Sequence, residues 1–340
     1  MGQYFQLLNL TLRQVDPCVE PGTKFQELAF NWHWGMEKFL REPIFPSEPP
    51  EIQASLTSNP PRSHLGLLGI LPSELIDLIL LHLDLSVDVL RLSAVHYLLN
   101  PHCFTRLVNI LRQSTKRVWW SGNQIALVGD YLRNPPAALL PDDLRSDLQS
   151  GPYDLDDEDS VPNEGGQPVR LYEFASRHFT NLNANLRGSL LAYETKLYRP
   201  DPAHPRKAWQ QMDIARAQRM LNSALPNVPE HIHSPVLCNL TQRQLVRSEA
   251  VEKVKTYHGG TVHVTLGSVA IFLVVCTDDW SFSPWYKSGM SDMDLRFGGI
   301  FGGWAGDRLT IMSLENVEEG FKDISGEVVE LISRFFGRVR

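Results

Sequence analysis

Cysteine is scarce: four residues in a chain of 340, Cys18, Cys103, Cys238 and Cys276, spread singly along it. This spacing excludes a disulfide framework and lacks the Cys-x₂-Cys pairs that bring two thiolates to one metal. Buried, reduced thiols are expected, as in a cytoplasmic or nuclear protein. An excess of positive charge is missing too. The formal net charge is −7, which argues against a nucleic-acid-binding protein with its basic face. Nor is there an apolar run of the roughly 20 residues that a bilayer span needs. The greasiest segment, Leu65 to Leu99, is interrupted by Glu74, Asp77, Asp84 and Asp88. No charged segment followed by an apolar stretch marks a secretory signal, and Gln6 stands where N-myristoylation wants Ser or Thr. A soluble protein with no membrane partner is expected.

Catalytic signatures are equally sparse. There is no Gly-x-Ser-x-Gly elbow around Gly188-Ser189, and the glycines from Gly298 to Gly306 are not followed by the Lys and Ser or Thr of a phosphate loop. His231 and His233, beside Glu230, are enclosed by Pro229 and Pro235 with no third ligand in sight. Six carboxylates between Gly151 and Gly166 hint at calcium. In the register that starts at Asp154, however, Asp159 stands where the EF-hand loop requires Gly. A solvated, self-repelling acidic loop over 151–166 is the expectation. Asp278-Asp279-Trp280, after an apolar run, is the best place for an active carboxylate, though a strand-ending turn explains it as well. The reading is therefore no enzyme, no cofactor and no metal.

What the chain does have is material for a core: 43% apolar and 9% aromatic residues. Residues 1–42, rich in aromatics, are expected to pack on the body of the protein. Residues 43–64, with six prolines between Pro43 and Pro61, read as a linker. A leucine-rich helical module follows over 65–112, and a mixed α+β body over 113–340. In the body, the alternation from Gln124 onward reads as a strand with Ile125 and Leu127 on one side. Helices are expected over 169–186, 203–225 and 325–336. Residues 261–266 alternate like a strand, and the continuous apolar run Val269 to Cys276 suits a central strand buried on both faces. The fold class that results is α+β, a helical module beside or against a body whose sheet is mainly antiparallel.

One internal echo stands out. Trp120-Ser121-Gly122-Asn123-Gln124-Ile125 and Trp304-Ala305-Gly306-Asp307-Arg308-Leu309 share one pattern. In both, Gly-Asn or Gly-Asp is turn chemistry feeding a strand, with the Trp packed before the turn. Two similar strand entries are expected, as neighbours in one sheet, with an ion pair between Asp307 and Arg308.

The segment that carries function is Leu71-Pro72-Ser73-Glu74-Leu75, followed by Ile79-Leu80, Leu83-Asp84 and Leu90-Arg91-Leu92-Ser93-Ala94-Val95. Pro72 and Glu74 suit the first turn of a helix. Leu75, Ile79 and Leu83 recur on one face, and Ser86 can cap a second helix carrying Val89, Leu92, Val95 and Leu99. Well over half of residues 65–99 are apolar, more than one stripe on two short helices can hide. These residues resemble an F-box, the helical module that docks on the small linker subunit of cullin-RING ubiquitin ligases. The resemblance implies a docking surface of Leu71, Pro72, Leu75, Ile79 and Leu83, extended by Leu92 and Val95. It also implies an adaptor that recruits an unknown target protein. A second resemblance rests on Met1-Gly2-Gln3-Tyr4, Gly129-Asp130-Tyr131, Leu237 to Arg247 and Trp304 to Arg308. These look like a family of uncharacterised fungal proteins, which implies architecture and no chemistry. The alternative to the adaptor is an interaction or sensing protein in which the box helices are internal core. An unrecognised hydrolase comes third.

Overall fold

The computed structural model describes residues 3–16, 23–31, 33–47, 62–83, 86–116, 119–133, 135–136, 139–150, 170–181, 211–229, 232–252, 264–278 and 302–337. The acidic segment 151–166 and most of the proline-rich stretch lie outside them. The chain divides into two units, one formed by Met1–Glu42, Trp119–Asn183 and Glu230–Arg340, the other by Pro43–Val118 and Ala184–Pro229. The N-terminal segment is thus part of the body, and a helix from residues 184–229 belongs with the leucine-rich module.

The first unit is an α+β sheet unit. Its strands are β1 (Phe5–Asn9), β2 (Gln14–Val15), β3 (Asn123–Gly129), β4 (Thr180–Asn181), β5 (Pro235–Asn239), β6 (Gln244–Arg247), β7 (Val275–Cys276), β8 (Asp307–Ser313) and β9 (Lys322–Asp323). They form one mixed sheet in the order β4-β2-β1-β3-β8-β5-β6-β9, with β7 parallel to β3. Most pairs are antiparallel; only β2–β4, β3–β7 and β6–β9 run parallel. The remaining elements are α1 (Phe25–Asn31), α2 (His33–Leu40), α6 (Asp142–Ser150), α7 (Leu171–His178), α9 (Ser248–Val251), α10 (Leu266–Val274) and α11 (Ser325–Gly337). Side chains alternate across a strand, and β1 feeds both faces. Leu8 packs with Leu144, Leu148 and Phe174 of α6 and α7, while Phe5 meets Phe25 edge-to-face, and Phe25 meets Phe272. Covered on both sides, β3 is buried at every position from Ile125 to Gly129, so its alternation does not separate a wet face from a dry one.

Three expectations need correction. Val269 to Cys276 is not a central strand. Residues 266–274 form α10, every residue of it buried, and only Val275–Cys276 is strand. A continuous apolar run fits a wholly buried helix as well as a buried strand. What decides it is the cap: Thr265 Oγ1 accepts from Ser268 N, and Ser268 Oγ accepts from Thr265 N. Of the strand expected over 261–266, residues 261–263 lie outside the described residues, Val264 and Thr265 are not strand, and Leu266 is already helical. The helix expected over 169–186 stops at His178, because Phe179 is extended and the chain enters β4.

The two Trp-x-Gly entries are direct neighbours. β3 and β8 pair with Gln124 opposite Arg308 and Ile125 opposite Asp307, so the centre of the sheet is their shared seam. The echo is the second part of a longer repeat. Leu7 to Val15 and Leu237 to Leu245 both read Leu-x-Asn-Leu-Thr-x-Arg-Gln-aliphatic and are identical at six of nine positions. Each stretch makes the same hairpin, with Asn9 opposite Gln14 and Asn239 opposite Gln244. Arg13 and Arg243 take the same left-handed conformation, φ 51° and 54°. Leu10 N donates to Gln124 O and Leu240 N to Arg308 O; Gln124 N donates to Thr11 Oγ1 and Arg308 N to Thr241 Oγ1. The strand order is a palindrome of these two halves, each ending in a two-residue parallel edge strand. The sheet is therefore an internal duplication with approximate two-fold symmetry.

The halves differ in the hydrogen bonding of the hairpin turn. In the second, Asn239 Nδ2 and Gln242 Nε2 both donate to Asp307 Oδ2 at 2.7 Å, and Gln242 Nε2 also reaches Gly303 O. In the first, Leu12 replaces Gln242 and cannot donate. Asn123, at the Asp307 position, turns its own Nδ2 to Trp119 O. Asn9 Nδ2 is left buried without a partner. Copying the second half with Leu12→Gln and Asn123→Asp should satisfy it and raise unfolding stability by about 1 kcal/mol. A urea titration checks this, and an unchanged or lower midpoint would show that the halves are not equivalent there.

Candidate docking face

The second unit holds α3 (Ser73–Leu81), α4 (Ser86–Val95), α5 (Asn100–Thr115) and α8 (Gln211–Ala224). Its core joins Ile76 and Leu80 of α3, Val89 and Leu90 of α4, Cys103, Phe104, Leu107 and Leu111 of α5, and Ala217, Met220 and Leu221 of α8. The stripe expected on a helix over 203–225 is thus core, now placed with the leucine-rich helices. Pro72 precedes α3 with φ −58°, and its carbonyl accepts from Leu75 N and Ile76 N, so it opens the helix without a donor to waste.

α3 is apolar on two faces, and only one is used inside the unit. Ile76 and Leu80, four residues apart, point into the core. Leu75, Leu78, Ile79 and Leu81 point out and are 44–53% exposed, and just before the helix Leu67 and Ile70 are 82% and 78% exposed. Leu75, Leu78 and Ile79 share one face by their three- and four-residue spacing. Single exposed leucines need no explanation; a group on one helix does.

The helix is firmly held. Asp77 Oδ1 lies 2.6 Å from His102 Nδ1 of α5. Arg106 of α5 donates to Leu81 O at 3.0 Å and Leu83 O at 2.9 Å, taking up carbonyls that the helix end leaves open. This placement of a cation at a helix C-terminus also favours the dipole. The exposed leucines therefore stand on a fixed backbone.

The expected docking residues divide. Leu75 and Ile79 are exposed as expected, and Pro72 is exposed beside them. Leu71, Leu83 and Leu92 are partly buried against the core. Val95 lies in α4, and its side chain is outside the described residues. Leu81, Leu67 and Ile70 were not in the expected set; their only signal is the apolar excess itself, which says that a second face exists and not which residues form it. His102 and Arg106 carry no sequence signal, since their role depends on α5 crossing α3.

The turn residues are built into the sheet. Trp120 and Trp304 are fully buried, and their Nε1 atoms donate to Gln14 Oε1 (3.1 Å) and Gln244 Oε1 (2.7 Å), equivalent glutamines of the two halves. Gly122 and Gly306 have φ 75° and 84°, and a Cβ on Gly306 would lie 2.9 Å from Leu139 Cα, so only glycine fits there. The ion pair expected within the turn is not formed. Asp307 is held by Asn239 and Gln242, and Arg308 Nε donates to Gly122 O across the seam. Successive residues of one strand point to opposite faces, so the two side chains meet different partners.

Other candidates lie apart. His233 is exposed, 3.5 Å from Glu315, and His231, Asp279 and Trp280 are outside the described residues. Among the described residues no three His, Cys, Asp or Glu side chains cluster as a metal site, and no helix is long and apolar enough to cross a membrane. Burial pushes the Cys103, Cys238 and Cys276 thiols up to about 12, with Asp278 adding to the effect at Cys276. Thiolate chemistry at neutral pH is thereby disfavoured at all three. Comparison with protein families, curated proteins and solved structures finds no match.

Proposed function

We propose that this chain is a non-enzymatic adaptor that docks by α3 on the linker subunit of a cullin-RING ubiquitin ligase and uses its sheet unit to hold a target protein. One observation carries the reading: α3 buries Ile76 and Leu80 in its own unit and leaves Leu75, Leu78, Ile79 and Leu81 exposed on a backbone fixed by His102 and Arg106. An apolar helix face with a few clustered leucines is what a partner groove takes up, and such anchors supply most of the binding energy. The F-box resemblance names the partner. With that partner goes a proposed location in the cytoplasm or nucleus, where such ligases work.

The competing reading, in which the box helices serve only as core, is supported by Leu71, Leu83 and Leu92, which pack inward. It leaves the exposed leucines of α3 without a use. Affinity purification of the chain from its native cell separates the two. The adaptor brings down the linker subunit and the cullin in stoichiometric amounts; purification with neither subunit excludes it.

A further inference from the structure

The two halves of the sheet are not covered alike. In the first, Leu8, Leu10, Val15 and Val128 line one face and pack with Leu144 and Leu148 of α6. In the second, the equivalent positions Cys238, Leu240, Leu245 and Met312 gather in the same way. The cover comes from the chain that leads to each edge strand. From β3 to β4, residues 130–179 hold α6 and α7; from β8 to β9, residues 314–321 hold one turn of 3₁₀ helix, Leu314–Asn316. Burial follows the length of that connection. Leu10 and Val128 are 2% and 0% exposed, whereas their counterparts Leu240 and Met312 are only partly buried, as are Val317 and Phe321 beside them. The turn glycines show the same difference. A Cβ on Gly306 would meet Leu139 Cα at 2.9 Å; one on Gly122 would meet, among the described residues, only Arg308 Nη2 at 3.9 Å.

The first half shows what such a face takes up. α6 lays Leu144 and Leu148 on the strands, four residues apart, and the residue before each leucine is an aspartate. Both aspartates pair with Arg13 at the tip of the hairpin: Nη2 lies 3.0 Å from Asp143 and Nη1 2.7 Å from Asp147. Arg243 is the equivalent of Arg13, on the same left-handed backbone. Its guanidinium donates to Glu319 O at 2.7 Å and lies 5.5 Å from the centre of the Phe321 ring. In place of two close carboxylates it has one longer pair, 3.5 Å to Glu318, with both side chains exposed. An exposed pair contributes about 1 kcal/mol at most, so an incoming carboxylate can take the place of Glu318. The loop also carries exposed Glu315 and Glu319, with exposed His233 3.5 Å from Glu315. A helix acidic all round is repelled there. The fit is to a helix with carboxylates beside its leucines and no other excess of negative charge.

We propose that this open face of the second half docks an amphipathic helix of a partner protein. Its leucines, at i and i+4, lie against Leu240 and Met312, and the carboxylate before each leucine pairs with Arg243, as α6 does with Arg13 on the first half. Helices that lay an apolar face on an apolar surface are a recurrent mode of recognition. Calling the partner the ligase target rests on the adaptor reading, to which it adds the target's chemistry; the docking itself needs no part of α3.

A synthetic peptide of residues 139–150, labelled with a fluorophore and titrated with the full chain, tests this by fluorescence anisotropy. Saturable binding is expected, at least tenfold weaker for the peptide with Leu144→Asp and Leu148→Asp. In the chain, Met312→Glu should weaken binding at least tenfold, and Val317→Glu, on the loop, several-fold. Arg243→Glu should weaken it several-fold, and the peptide with Asp143→Lys and Asp147→Lys should bind that variant better than the original peptide does. Leu75→Asp should leave peptide binding unchanged, so failure here and failure of linker docking are read separately. Thermal unfolding establishes which variants are folded, and any one that is folded decides. Absence of saturable binding to the wild-type chain would overturn the assignment. So would equal binding by the folded variants, which would mean that the peptide exchanges with α6 on the first half. A dimer of the chain that Met312→Glu dissociates would also overturn it, making a second copy the occupant.

Discussion

Trp120→Ala and Trp304→Ala are each expected to give protein that is insoluble or cut rapidly by protease. Both indoles are fully buried, and each also serves as a hydrogen-bond donor. Truncating a buried Trp costs about 3–5 kcal/mol through lost contacts and the cavity left behind. The Gln14 or Gln244 oxygen left without its donor adds about 1–3 kcal/mol. Together these approach the whole margin of about 5–15 kcal/mol that holds a typical domain folded. The duplication sharpens the expectation. The two positions sit at either side of the β3–β8 seam in equivalent surroundings, so both variants should fail to a similar degree. Soluble yield and limited proteolysis, measured side by side, check this. A folded Trp304→Ala protein that loses only one ligand would instead make Trp304, Asp307 and Arg308 a binding site.

That equivalence was half legible in the sequence. The Trp-x-Gly echo is visible because tryptophan and glycine are rare enough to stand out, and its reading as neighbouring strand entries agrees with the β3–β8 pairing. The hairpin repeat, Leu7 to Val15 and Leu237 to Leu245, is as strong. It is built, however, from common residues whose role shows only when Asn9 and Asn239 are seen capping their turns at Leu12 N and Gln242 N. The run from Val269 to Cys276 is a different case. Apolar at every position, it carries no periodicity, and only the Thr265–Ser268 cap separates helix from strand. On α3 the composition tells that two faces are apolar. Which is buried depends on α5 and α8, and α8 lies more than a hundred residues further along the chain.

The second large effect concerns those exposed leucines. Leu75→Asp combined with Ile79→Asp should abolish binding of the linker subunit while the chain stays folded. Neither side chain belongs to the core, which is closed by Ile76 and Leu80 on the opposite face, so the carboxylates remain in water until a partner arrives. At an interface each would have to be desolvated without a pairing cation. An anchor of this kind contributes about 2 kcal/mol, so losing two weakens binding several-hundredfold. The matched control is Ile76→Asp, which buries a charge in the core and should unfold the helical unit. Circular dichroism distinguishes the two. Binding that persists in the folded double variant would remove α3 from the interface.

The most direct measurement is a titration of the purified full chain with the purified linker subunit, followed by size-exclusion chromatography of the mixture. The account predicts a one-to-one complex with saturable heat, absent for the Leu75→Asp/Ile79→Asp variant. A folded wild-type chain that shows no heat and elutes apart from the linker subunit would contradict it.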